Sequence, residues 1–308
     1  MWDRERGEHF INTVQNHFRL YEGTNFAGKL VELMPYQVEF FMRLFCWVVW
    51  SDFYGRYVRR FRRASLWVPK KNGKSPTGAM VGNYLTTADG EVGGKTFAVA
   101  KDGKQARIVH DHAVKMVEQS SDLLADCKIT LNPERRITHL PSLSWFGVLS
   151  ADNIEGQEGL NGNAIIDEGH VVVERLARVL KFMGASREEP IELMLSTAGD
   201  NKAGWGGKRW DYGQRVNKGE VRDTEFLHVC YAAPQDATDA QLLRPRMWRK
   251  ANPALGHILD EERFAQELET ARSGSMQEWS DFKKYRFNIW QTSTSPWLSM
   301  SAWDECPT

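Results

Sequence analysis

The sequence predicts an α/β protein with a mostly parallel central sheet flanked by helices, and three observations carry that prediction. Residues 64–68, 96–100, 163–167 and 191–197 are short, nearly continuous apolar runs. Such runs fit strands buried on both faces. Helix-compatible stretches at 74–87, 104–119 and 174–184 lie between them. Strand alternating with helix in this way implies a parallel sheet covered on both sides.

The elements follow in chain order. PYQVEFFMRLFCWVVW, residues 35–50, reads as one helix with Pro35 in its first turn. A basic region comes next: Arg56, Arg59, Arg60, Arg62, Arg63, Lys70, Lys71 and Lys74, with no acid between Asp52 and Asp89. Its arginines could meet DNA phosphates, a neighbouring subunit, or only water. Residues 104–119 place Ala106, Val109, Ala113, Val114 and Val117 at helical spacing. KITLN, RRITHL and SWFGVLS, within 128–149, read as β-strands joined by turns. ERLARVLKFMG (174–184) reads as a helix with Gly184 near its end, and FLHVCYA (226–232) as a further buried strand. Trp205-Gly206-Gly207-Lys208 looks like a mobile, glycine-rich loop that could touch DNA. After Pro234 the pattern becomes helical and charged. The expected organisation is a core over 1–235, a small helical lid over 236–290, and a linker-like polar stretch over 291–308.

The 308 residues carry 40 Lys and Arg against 40 Asp and Glu, so the formal net charge is zero. No global field draws in a polyanion, and a nucleic-acid surface must be a local patch. Cys46, Cys127, Cys230 and Cys306 form no C-x-x-C pair. That spacing argues against a disulfide framework or zinc ribbon and fits a reducing cytosol. The charged MWDRERGEHF terminus is no signal peptide, and the apolar stretch Leu44 to Trp50 is too short to span a bilayer. His110 and His112, two apart on a helix, face different directions and make no metal pair.

The chemistry begins at SLWVPKKNGKSPTGAM, residues 65–80. A strand, then Gly-Lys-Ser, then a helix is how a chain wraps nucleotide phosphates, because backbone N–H groups of the loop and helix N-terminus point at the anion. Lys70, Lys71, Asn72, Gly73, Lys74, Ser75 and Pro76 would line such a loop. Lys74 would reach the β- and γ-phosphates of ATP, and Ser75 would ligate Mg²⁺. The full G-x-x-x-x-G-K-[ST] pattern wants glycine at position 68, where this chain has Val68. A surface turn with solvated lysines is the bland alternative.

NAIIDEGH, residues 163–170, supplies the complement. Two acids at the end of a buried strand are costly without a cation or proton nearby. Asp167 would orient the Mg²⁺ water shell, and Glu168 would act as general base on the attacking water. The alternative is a helix N-cap with first-turn charge. LMLSTAGD, residues 193–200, can lie between the two motif-bearing strands, with Ser196 and Thr197 sensing the γ-phosphate or orienting the water. Gln37 can bond both the adenine amino group and N7. The fold expected is therefore a P-loop NTPase of the additional-strand type.

MPYQ at 34–37, VPKKNGKS at 68–75, VAKDGKQARIVHDHA at 99–113, LSADNIEGQEGLNGNAIIDEGH at 149–170, LSTAG at 195–199 and WRKANPALG at 248–256 together resemble the large terminase subunit of tailed bacteriophages. FKKYRFNIWQTSTSPWLSMSAWDEC at 282–306 resembles the stretch that joins its ATPase and nuclease domains. The resemblance covers nearly the whole chain. It implies a P-loop ATPase core with a lid, and a ring of about five subunits on the portal protein. ATP hydrolysis would drive double-stranded DNA into a procapsid in the host cytoplasm, with the small terminase subunit as a further partner. It also implies an RNase H-like nuclease domain with a metal-binding acidic cluster, following residue 308. The expectation is a motor fragment without nuclease activity.

Three positions depart from the family pattern. Lys70 stands where many terminases have arginine, and lacks the bidentate fork. Glu158-Gly159-Leu160 stands where many have a trans-acting Arg-Gly-Leu, leaving Arg135, Arg136, Arg209 and Arg215 as candidates. Gly169-His170 after the acids resembles the DExH signature of helicases. A superfamily-2 type helicase is thus one competing function, although residues 239–308 are too few for its second motor domain. A non-hydrolysing DNA-binding module with a degenerate loop is the other.

Overall fold

The structure, a computed structural model, describes residues 1–23, 26–150 and 160–291. Its centre is an eight-stranded sheet. In chain order the strands are β3 (Arg63–Trp67), β4 (Lys95–Ala100), β5 (Cys127–Thr130), β6 (Arg136–His139), β7 (Trp145–Ser150), β8 (Asn163–Asp167), β9 (Glu192–Ser196) and β10 (Phe226–Cys230). Their spatial order is β10-β3-β9-β8-β4-β7-β6-β5. The six strands from β10 to β7 are mutually parallel, and β6 and β5 extend the sheet antiparallel. β8 is buried along its whole length and β9 nearly so, as their continuous apolar runs require.

Helix α3 (Lys74–Thr87) follows the β3 loop and lies against the sheet centre, buried on nearly all sides. Gly82 lets it approach, since a Cβ there would sit 2.3 Å from the Phe146 ring. α4 (Gly103–Glu118) begins at Asp102, whose side chain accepts from the N–H groups of Lys104 and Gln105. It packs beside α3 on the same face. α5 (Ser121–Asp126), which the sequence reading lacks, links α4 to β5. The opposite face is covered by α6 (Glu174–Leu180) and α7 (Trp205–Asn217), around Trp67, Ile166, Met194 and Trp210.

Two expectations about elements are corrected here. Residues 35–50 are not one helix: α2 spans Pro35–Cys46, and β1 (Val48–Ser51) then pairs antiparallel with β2 (Arg56–Arg59). Apolar residues continue across the junction, so periodicity does not mark it. Trp205-Gly206-Gly207-Lys208 is not a loop but the first turn of α7. Its glycines serve close packing: a Cβ on Gly207 would lie 1.9 Å from the Lys202 carbonyl oxygen, and one on Gly206 would lie 2.6 Å from that of Gly169. An N-terminal helix, α1 (Arg4–His17), capped by Asp3, packs on α2.

Beyond β10 come α8 (Asp239–Leu242), α9 (Pro245–Ala251), α10 (Glu261–Ser273) and α11 (Met276–Phe287). They enclose an apolar cluster of their own, centred on Trp248, Phe264, Phe282 and Phe287. Residues 292–308, most of the expected linker, lie outside the described residues, as do Glu158 and Gly159.

Candidate active site

β3, β9 and β8 lie side by side and all end at the same edge of the sheet. The strand carrying Ser196 therefore stands between the strand that leads into Gly-Lys-Ser and the strand that ends in Asp167. Val68, just past β3, donates its N–H to the Ser196 carbonyl at 3.1 Å. The loop then turns back through two left-handed residues, Lys71 (φ 69°) and Gly73 (φ 81°), before α3 begins at Lys74. Glycine takes that backbone without strain, which explains its place immediately before the lysine. Pro76 falls in the first turn of α3, where its missing N–H leaves no gap in the helix.

The charged groups converge. Ser75 Oγ donates to Asp167 Oδ2 at 2.9 Å. Lys74 is buried, and among the described residues its Nζ donates only to the Val68 and Pro69 carbonyls, each at 3.3 Å. Burial lowers the Lys74 pKa, while Glu168 and Asp167 oppose that shift. Burial raises Asp167, and the adjacent Glu168 charge raises it further. For Glu168 burial also pushes upward, but His170, Lys74 and Lys70 outweigh it and hold the carboxyl at about 2. Burial and the neighbouring charge thus push the two adjacent acids in opposite directions, Asp167 up and Glu168 down.

Glu168 is itself left-handed (φ 49°), which turns its side chain out of the strand direction. Its Oε2 stands 3.2 Å from His170 Nδ1 but lacks hydrogen-bond geometry, so it is a buried acceptor without a hydrogen-bond partner. The His170 N–H donates to Ser196 Oγ at 2.9 Å. Thr197 is fully buried, and its hydroxyl has no hydrogen-bond partner among the described residues. A buried hydroxyl is rarely left so unless a ligand or water completes it.

Gln37 is buried and engaged at both ends: its Oε1 accepts from Met34 N–H at 3.0 Å, and its Nε2 donates to Thr77 Oγ1 at 2.9 Å. It pins the start of α2 to α3 beside the phosphate loop. Lys70 is held by α11: its N–H donates to the Tyr285 carbonyl at 2.8 Å, and its Nζ lies 3.5 Å from the Tyr285 ring centroid. Asn72 is fully buried and bonds Asn252, which follows α9.

That contact between the phosphate loop and the C-terminal helical segment is what sequence reasoning missed. WRKANPALG and FKKYRFN are conspicuous motifs, but no spacing rule says what Asn252, Arg286 or Asn288 touch. Asn252 Nδ2 donates to the Arg286 carbonyl at 2.7 Å, and Arg286 Nη1 donates to the Lys70 carbonyl at 3.3 Å. Asn288 Oδ1 accepts from the Ala198 N–H at 2.8 Å, next to Thr197.

The basic run leading into β3 is largely paired. Arg56 pairs with Glu188 and Glu189, Arg59 with Asp89, and Arg63 with Asp223. Arg60 donates to the Thr224 carbonyl and lies over the Trp47 and Phe61 rings. Of the candidates for a trans arginine, Arg209 pairs with Glu192, Arg135 with Asp111, Arg136 with Glu134, and Arg215 with Glu220.

A glycine-turned loop feeding a central helix, an interposed strand, and an acidic pair whose first member, Asp167, accepts from the loop serine define a P-loop NTPase of the additional-strand type. A family model for the terminase large subunit ATPase domain matches residues 35–215, and the chain belongs to the terminase large subunit family. It is 27% identical over 311 residues to the large terminase subunit of Enterobacteria phage HK97, covering 98% of this chain and 56% of that protein. The crystal structure of the HK97 large terminase superposes with a TM-score of 0.77 at 24% identity, over 99% of this chain and 58% of that one. The large terminase of a thermophilic bacteriophage, solved in complex with ADP, gives 0.50 at 10% identity, over 75% of this chain and 48% of that one. The chain thus spans a little over half the length of its HK97 relative.

One expectation is overturned. A model of the terminase large subunit endonuclease domain matches residues 220–308, so the nuclease region does not wait until after residue 308. The expectation of a motor without nuclease activity is corrected accordingly: the chain carries nuclease-domain sequence as well as the ATPase domain. The helical periodicity of 239–290 concealed this, because it reads equally well as a lid. The match begins just before β10, a strand of the ATPase sheet.

Proposed function

We propose that the chain hydrolyses ATP to move double-stranded DNA into a viral procapsid, as the motor of a packaging machine. The observation that carries this reading is the Ser75–Asp167 hydrogen bond, which brings the two expected metal ligands together beside Lys74 and Glu168. An oxygen-only pair of this kind suits Mg²⁺, which keeps several waters and takes one or two protein oxygens with the phosphates. Ser75 and Asp167 would hold it, and it would neutralise charge on the phosphate oxygens.

The chain's own residues supply the rest. The loop N–H groups from Lys71 to Ser75 cradle the phosphates, and Lys74 exchanges its two carbonyl contacts for phosphate oxygens. Gln37 would reach adenine only by exchanging its Met34 and Thr77 hydrogen bonds. The hydroxyl of Thr197 donates to the γ-phosphate or the attacking water. Glu168 accepts a hydrogen bond from that water and orients it toward phosphorus. Held at about 2, Glu168 is a weak base and takes the proton late, as suits a reaction in which positioning dominates.

The family membership supports duplex DNA as the load, with a homo-oligomeric ring, the portal protein and the small terminase subunit as partners in the host cytoplasm. The lid at 236–290 would transmit the nucleotide state. The endonuclease-domain match adds DNA cleavage to the activities to be assayed. Phosphate release measured with and without duplex DNA, with strand cleavage followed in parallel, tests the reading. No release under either condition, at concentrations that permit assembly, would overturn it.

A further inference from the structure

Two cavities outside the phosphate loop differ in how their charges are used. One, about 880 Å³, lies where α1, β2 and the segment 186–189 meet, and its arginines Arg6, Arg56, Arg59 and Arg187 each pair with a carboxylate. It is a closed electrostatic network. The other, about 450 Å³, lies on the outer half of the sheet, where Lys95 of β4 stands opposite Trp145 of β7. Among the described residues, Lys95, Arg107, Arg135 and Arg136 line it against a single carboxylate, Glu134.

Two of these cations are committed: Arg135 to Asp111 and Arg136 to Glu134. Lys95 and Arg107 are exposed and have no ion pair among the described residues. Arg135 Nε is buried in the wall without a hydrogen-bond partner. Among the described residues the cavity therefore carries an excess of positive charge, in a protein whose net charge is zero. That combination calls for an anion.

We propose that this cavity seats phosphates of a duplex DNA backbone, with Lys95 and Arg107 as its charge contacts. It offers no stacking platform for a base, because the Trp145 face is covered by Arg136 at 4.2 Å and Phe97 meets the ring at 5.0 Å in an edge-to-face contact. Recognition by charge alone suits the sugar-phosphate chain, which carries no sequence information. The proposal rests on the reading of the chain as a DNA motor.

The test is the salt dependence of affinity for a random-sequence duplex, by fluorescence anisotropy without nucleotide, using the whole chain. Each phosphate contact contributes about 0.9 to the slope of log K against log salt. K95A/R107A should lower that slope by about 1 to 2 and weaken binding equally on unrelated sequences, with basal phosphate release unchanged. A K218A/R222A control removes the same charge beside β10, at the far edge of the sheet, and should leave the slope near that of the parent. A parental slope in K95A/R107A, or an equal fall in the control, overturns the cavity as the site while leaving the motor reading intact. Failure of the parent to bind duplex at any salt overturns both.

Discussion

Asn72 of the phosphate loop donates its side-chain amide to the Asn252 side-chain oxygen at 3.0 Å, although 180 residues separate them. Asn72 also accepts from the Ala254 N–H at 3.1 Å, and both asparagines are essentially unexposed. The loop that would hold ATP phosphates and the segment just after α9 thus share one buried amide pair. Leaving one such partner unsatisfied costs about 1–3 kcal/mol.

N252A should therefore destabilise the protein by about that amount, and N72A similarly, with less than additive loss in the double variant. A double-mutant cycle by denaturant unfolding reads the coupling. Strict additivity would show that the pair does not act as a unit.

E168Q should bind a non-hydrolysable ATP analogue like the parent and depress turnover roughly 10²–10⁴-fold, the usual range for a lost general base. Parental turnover in this variant would remove Glu168 from the reaction.

K74A loses charged hydrogen bonds to phosphate, each worth about 1.5–3 kcal/mol, so affinity for the analogue should fall about 10- to 100-fold. The lysine is buried with only two long carbonyl contacts, so the nucleotide-free protein should keep its thermal midpoint. Undiminished analogue binding, by calorimetry, would displace the phosphate site.

The Glu168 carboxyl falls from its ordinary 4.5 to about 2, so its contribution to stability is present above pH 4.5 and is lost as pH falls through about 2. Asp167 runs the other way, because its pKa is raised, and bulk acid unfolding mixes the two. A carbon-detected carboxyl titration separates them: Glu168 should stay ionised well below pH 4, and H170A should move its midpoint upward. A midpoint at 4.5 or above in the parent contradicts the electrostatics described.

G207A reverses the propensity rule. Alanine in a helix should gain about 1 kcal/mol over glycine. Here the new Cβ would press on the Lys202 carbonyl oxygen, so a net loss of about 1–3 kcal/mol is expected, the range for overpacking. A raised melting temperature in G207A would show that the α7 start can shift to accept it.

Local chemistry was legible in the chain itself. β8 and β9 announce themselves as continuous apolar runs, and Gly73-Lys74-Ser75 and Asp167-Glu168 as polar groups at the ends of such runs. These signals are short-range, set by burial period and backbone freedom, so they survive without coordinates. The split of 35–50 into α2 and β1 was not legible, since helix and strand there are equally apolar. Nor was the fate of the arginines after Asp52, whose carboxylate partners Glu188, Glu189 and Asp223 lie more than a hundred residues away. The Asn72–Asn252 pair and the gathering of cations around Lys95 and Arg107 are likewise products of long-range packing, whereas the place of β9 between β3 and β8 matches the reading of LMLSTAGD as an interposed strand. Only the folded chain decides which distant groups meet, because the free energy of each pairing depends on neighbours that sequence order does not specify.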